Sequence, residues 1–151
     1  MKRAALLIVD MQNDFIPESS PMKVTQARAI IPHILHVLEV FRSRHLPVFH
    51  LLRIHRADGS DVEIIRQELF RSHPFAVEGK PGAAIIDEII PASGEYVIPK
   101  TRMSGFIATE LDLMLQSLGI NQPCSDRHPD AQLYPDYRFR CYCIELPGHR
   151  C

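Results

Sequence analysis

The chain has 151 residues, with 17 Lys and Arg against 18 Asp and Glu, and 46% of it is apolar. That length predicts one domain with a core of its own. Near-neutral, interspersed charge argues against nucleic acid or an anionic membrane surface as a partner, and no apolar run is long enough to span a bilayer. The apolar stretch after Met1-Lys2-Arg3 is too short for a secretory leader and has no cleavage site, so a cytoplasmic protein is expected.

The first expected element is a strand over residues 4–10, AALLIVD, followed at once by Met11-Gln12-Asn13-Asp14-Phe15. A branched apolar run that ends in an acid and a turn is how a buried parallel strand delivers a carboxylate to the carboxyl edge of a sheet. A loop with Pro17 and Pro21 follows. Residues 26–45 read as a helix, because Ile31, Ile34, Leu35, Leu38 and Phe41 recur at three and four, and Pro32 suits its first turn. Leu46-Pro47 breaks it, residues 48–54 form the second expected strand, and 56–61 a polar loop. Short helices are expected near 62–70 and 83–90. Gly94 precedes a third strand, Tyr96 to Pro99, with Lys100 at its end. A last helix has Thr109 and Asp112 at its start, close to a capping box, buries Leu111, Met114, Leu115 and Leu118, and stops at Gly119.

Strands alternating with helices predict parallel pairing through right-handed crossovers, with helices on both faces. A fourth strand is due after Ile120. Residues 121–130 contain two prolines and no apolar run, and neither helical nor strand periodicity is evident from there to Cys151. All four cysteines (Cys124, Cys141, Cys143 and Cys151) fall in the last thirty residues, a lopsidedness unlike that of a secreted disulfide scaffold.

Three segments resemble the isochorismatase-like cysteine hydrolases: DMQNDF after the first strand, RIHRADGSDVE (residues 53–63), and VIPKTRMSGFIATELDLMLQSLGI (residues 97–120). The resemblance covers residues 1–121 nearly continuously. It implies a three-layer α/β/α, Rossmann-like parallel sheet, here C-terminally truncated, and an Asp–Lys–Cys triad whose first two members match Asp10 and Lys100. It implies Gln12, Phe15, Ser104 and Phe106 as substrate-binding residues, a small-molecule substrate, no cofactor, no metal, and a homo-oligomer in the intact family member. The cysteine should follow the fourth strand in a segment of the type VTGxxTxxC. Counting forward places it at Leu133, and Cys124 lies nine residues too early.

The genetic code offers a reason. With synonymous codons chosen freely, Pro123 to Cys151 read one nucleotide later gives LVVTGIQTPNCIRTTVFDAIALNYPVTV. That is an apolar strand, a turn, a cysteine at a helix start, a patterned helix and another strand, with the cysteine codon straddling Leu133 and Tyr134. A single-base insertion near residues 121–122 is therefore expected, dividing the chain into an incomplete hydrolase domain (1–121) and an out-of-frame tail (122–151).

The family chemistry is attack of a thiolate on a carbonyl-type carbon, with Asp10 taking the thiol proton and Lys100 stabilising the charged forms. The expected function is hydrolysis of an amide C–N or related bond of a small metabolite, lost here with the nucleophile. The alternative is a non-catalytic α/β binding or oligomerisation module. Arg53, Asp58 and Asp61 are expected in solvated, capping or subunit-contact roles. His50 and His55 lack the Asp-x-His-type loop of the metal-binding branch. Cys141, Cys143, His149 and Cys151 lack the spacing of a zinc knuckle. A sheet without its fourth strand would expose apolar faces, so marginal stability is expected.

Overall fold

The computed structural model describes residues 3–20, 22–25, 27–120 and 139–144. Four strands form one parallel sheet: β1 (Arg3–Val9), β2 (Val48–Arg53), β3 (Tyr96–Lys100) and β4 (Phe139–Ile144), in the order β3-β2-β1-β4. The helices are α1 (Ile31–Ser43), α2 (Gln67–Ser72) and α3 (Leu111–Ser117).

Alternation along β1 divides the core into two. Leu6 and Ile8 join Ile34, Leu38 and Phe41 of α1 on one face, while Ala5, Leu7 and Val9 join Leu111 and Leu115 of α3 on the other. Residues 5–9 are at most 1% exposed, which is why a parallel strand reads as a continuous apolar run rather than an alternating one. The expected α/β class with both faces covered is the observed one.

Boundaries differ where short-range geometry decides them. The helix expected over 26–45 opens as a 3-10 turn, Ala27–Ile30, and α1 closes at Ser43; His45, at φ 50, takes the left-handed position just beyond, and the Leu46 N–H returns to the Phe41 carbonyl at 2.9 Å. The segment near 62–70 is a 3-10 turn, Ile64–Arg66, running into α2, and 83–90 holds a 3-10 turn at Asp87–Ile89 after one at Pro81–Ala83. The cap expected at Thr109 falls one residue later: Glu110 is the N-cap of α3 and makes no side-chain cap bond, while the Thr109 hydroxyl accepts the Leu111 N–H at 3.3 Å in the turn before the helix.

One expectation is corrected outright. Residues 139–144, FRCYCI, form a fourth strand paired along β1 from Arg3↔Phe139 to Ile8↔Ile144. Arg140 and two cysteines interrupt any apolar run there, so the segment gives no periodic signal. Phe, Tyr and Ile nevertheless favour strand, and an unpaired β1 edge would leave a row of buried N–H and C=O groups without partners. The remainder of the expected out-of-frame tail, with Cys124, Leu133, His149 and Cys151, lies outside the described residues.

At the back of the sheet Glu95 joins α1 to β2. Its carboxylate takes a two-bonded fork from Arg42 (Nε 2.6 Å, Nη2 3.0 Å), the His50 Nε2 at 2.8 Å and the Ala92 N–H at 3.0 Å. Burial alone would raise its pKa, but these donors outweigh burial and hold it at about 2 against an ordinary 4.5. An ionised Glu95 only accepts, so the His50 Nε2 carries the donated proton; burial lowers the pKa of that imidazole despite Glu95. Folded Glu95 thus gives up its proton well below the pH at which the unfolded side chain does. Its stabilisation is complete above about pH 4.5 and is lost as pH falls through about 2. Allowing for water on the exposed side of Arg42, Glu95→Gln should cost roughly 2 kcal/mol at pH 7 and much less near pH 2.5. Denaturant melts at the two pH values check this; an equal cost at both would contradict it.

Candidate active site

β1, β2 and β3 end at the same edge. The register pairs Val9 with Leu51 and Arg53 with Lys100, so Asp10, Arg53 and Lys100 follow or close three adjacent strands. β2 separates the other two, putting their backbones roughly 10 Å apart, a gap only a long side chain can cross. Lys100 crosses it: its Nζ stands 3.0 Å from each carboxylate oxygen of Asp10. The ammonium also donates to the carbonyls of Arg102 (3.3 Å) and Met103 (3.1 Å), which accounts for its three protons. Both side chains are 0% exposed.

Asp10 is held in an uncommon backbone conformation, φ 57, with its N–H on the Leu51 carbonyl at 2.9 Å and its carbonyl accepting the Gln12 N–H at 2.8 Å. Left-handed geometry costs a non-glycine residue energy, though Asp tolerates it better than most. Here it turns the chain sharply out of β1, so the carboxylate stays at the strand end while residues 11–16 fold back.

Gln12 is fully buried, and its amide is committed to backbone groups. The Nε2 donates to the carbonyls of Arg53 (2.8 Å) and Ala83 (2.7 Å), and the Oε1 accepts the Arg53 N–H at 2.8 Å. It therefore straps the ends of β1 and β2 together. Phe15 is buried in the α1-side core, edge-on to Phe75 with ring centres 6.2 Å apart. Ser104 and Phe106 lie in the loop after β3, half-buried, with the Ser104 Oγ accepting the Phe106 N–H at 3.2 Å. Phe106 lies against the α3-side core.

Asp14 fixes the loop beneath. It accepts the N–H of Ala76, itself at φ 51, at 2.6 Å, and it lies where a Cβ on Gly82 would have to go. Gly82→Ala would push the short Asp14 side chain off that N–H, so a loss of about 1–3 kcal/mol is expected. The same substitution combined with Asp14→Gly should cost little more than Asp14→Gly alone, and additive losses in urea melts would refute the contact.

Arg53 departs from its expected place among solvated or interface residues: the side chain is 0% exposed, with Nη2 3.9 Å from Asp10 and Nη1 3.7 Å from Glu63. Burial lowers its pKa, against the opposing pull of Asp10 and Glu63. The signal that would have found it is the one that found Asp10 and Lys100, a charged residue closing an apolar strand. Asp58 and Asp61 behave as turn residues, accepting the N–H groups of Ser60 (3.0 Å) and Arg56 (3.1 Å). His55 is buried between Phe70 and Phe75, 3.4 Å from Asp61, and burial lowers its pKa. Among the described residues no group of three or more His, Cys, Asp or Glu is arranged to hold a metal ion, and no helix is long and apolar enough to cross a membrane.

Comparison with known proteins gives the family. Residues 4–123 match the Isochorismatase domain. A probable inactive nicotinamidase of Arabidopsis thaliana is 36% identical over 124 residues, which cover 80% of this chain and 63% of that protein. An N-carbamoylsarcosine amidase of Arthrobacter is 31% identical over 119 residues, covering 76% of this chain and 45% of that one. The crystal structure of an isochorismatase family protein from Desulfovibrio vulgaris superposes with a TM-score of 0.75 at 43% identity, covering 79% of this chain and 63% of that one. The chain thus spans between about half and two thirds of the length of these relatives. With a buried Asp–Lys pair at the carboxyl edge of the sheet and a domain match over most of its length, the chain belongs to the isochorismatase-like cysteine hydrolase superfamily.

Proposed function

We propose that this chain carries the Asp–Lys half of a cysteine hydrolase for the C–N bond of a small carboxamide or ureido compound, and that as written it lacks the nucleophile. The observation that carries the reading is Lys100 Nζ at 3.0 Å from both oxygens of a fully buried Asp10. A lone carboxylate would be protonated in such a place; beside an ammonium it stays ionised and can take a thiol proton. Ser104 and Phe106 form the substrate wall in this reading, and Gln12 and Phe15 support the acid from behind.

Residues 1–121 contain no cysteine. Of the later ones, Cys141 and Cys143 stand level with Ala5 and Leu7 of β1. Cys143 is therefore three residues short of Asp10, about 10 Å back from the edge where the reaction would occur. The domain match ends at residue 123, beside the expected insertion near residues 121–122, which supports an out-of-frame tail. The Arabidopsis relative is named a probable inactive nicotinamidase, which is in keeping with this reading.

The substrates in the relatives' names, nicotinamide and N-carbamoylsarcosine, supply the assay. Ammonia release should be absent with the chain as written and present once the shifted frame is restored. The alternative, a non-catalytic module, predicts no release from either.

A further inference from the structure

Four charged side chains meet around this edge: Asp10, Lys100, Arg53 and, from the loop before α2, Glu63. They are not two separate pairs. The Arg53 guanidinium lies between the carboxylates, with Nη2 3.9 Å from Asp10 Oδ2 and Nη1 3.7 Å from Glu63 Oε1. Strong arginine–carboxylate pairs are frequently two-bonded forks at about 2.7–2.9 Å. Here the Nε and Nη1 and both Glu63 oxygens are buried without any hydrogen bond.

The surroundings hold the guanidinium in this middle position. Gln12 pins the N–H and carbonyl of Arg53, while Nη2 reaches the Arg102 carbonyl at 3.4 Å and the Met103 Sδ at 3.0 Å. What the position supplies to Asp10 is charge at short range in a site shielded from water, where charge acts most strongly. Asp10 thus faces Lys100 from β3 and Arg53 from β2. Glu63 stands behind the guanidinium, and the Arg102 side chain is turned away onto the Asp61 carbonyl at 2.6 Å.

We propose that Arg53 is a positioning residue for Asp10: a second cation that, with Lys100, keeps the buried carboxylate ionised and able to accept a proton. Its use in catalysis rests on the hydrolase reading above; the effect on Asp10 does not.

The test is a carboxyl-carbon NMR titration of Asp10 in the full chain, comparing wild type with Arg53→Met and Glu63→Gln. Removing the guanidinium should raise the Asp10 midpoint by about one pH unit or more, a tenfold gain in proton affinity. Where the wild-type carboxylate stays ionised down to acid unfolding, that of Arg53→Met should titrate above that limit. Glu63→Gln should not raise the midpoint. Arg53→Lys, which keeps the charge and loses the planar fork, should stay near the wild-type value. If the methionine variant does not fold, Arg53→Gln takes its place.

Wild-type and Arg53→Met curves that superimpose, or that remain ionised to the same acid limit, overturn the proposal, as does a rise in Arg53→Lys equal to that in Arg53→Met. The readout is a titration, so a chain that hydrolyses nothing still gives a decisive answer. Loss of the hydrolase reading would appear separately, as absence of ammonia release from the frame-restored protein.

Discussion

Lys100→Met is expected to cost the described domain about 3–5 kcal/mol, a large share of the roughly 5–15 kcal/mol that holds a domain of this size together. Methionine fills much of the volume of the lysine stem, so the loss is not one of packing. It arises because Asp10, 0% exposed, keeps its charge or must take up a proton, and because the Arg102 and Met103 carbonyls lose their donor. Arg53, at 3.9 Å, offsets part of the first term and keeps the figure near the lower end. Asp10→Asn should be costly for the mirrored reason, a buried ammonium without its carboxylate. Replacing both by apolar residues should recover most of the loss, since the desolvation of two charges disappears with them. Urea melts with unchanged slope measure all three. A loss below about 1 kcal/mol for Lys100→Met would mean that the pair is open to water and screened.

On the proposed reading, moving the tail into the frame one base later should have the largest effect of any change to this protein, because it would supply the nucleophile. Deleting one base near codons 121–122 would return an apolar strand, a Thr-Gly turn and a cysteine at a helix start. In the proposed function the Asp10–Lys100 pair would take the thiol proton and hold the resulting charge near it. Ammonia release from nicotinamide or N-carbamoylsarcosine should go from undetectable to catalytic. Replacing the restored cysteine with alanine, or Asp10 with asparagine, should remove roughly 10⁴-fold or more of that rate, the scale on which members of a covalent catalytic set act together. A restored protein that is folded and inert towards both compounds would leave the pair without its proposed chemistry or point to another substrate; a panel of small amides separates these outcomes.

The parts of the site legible in the sequence are those that strand physics alone determines. AALLIVD and YVIPK carry the marks of buried parallel strands with a charged residue at the end, and Asp10 and Lys100 do meet. Arg53 ends β2 in the same way, but in the sequence it runs directly into a polar loop and so reads like its solvated neighbours. Recognising it needs the sheet order: β2 lies between β1 and β3, so a long side chain at its end falls between the other two. Gln12 was visible as a residue near the site. Its use as a strap was not, because that depends on the alignment of the β1 and β2 ends. β4 is not legible in the sequence because its place is set by the open edge of β1, a property of the assembled sheet. The Arg42–Glu95–His50 cluster joins residues far apart in the chain, and no local pattern announces it.

The proposed function puts a cysteine sulfur beside Asp10 and Lys100, encoded one base out of step. The nucleotide sequence of the gene from codon 119 to its end tests this most directly. The account predicts that the frame one base later is open from codon 123, encodes an apolar strand and a Thr-Gly turn, and contains a cysteine codon formed by the last two bases for Leu133 and the first base for Tyr134. A stop in that frame before this point, or any other residue at that codon, would contradict it.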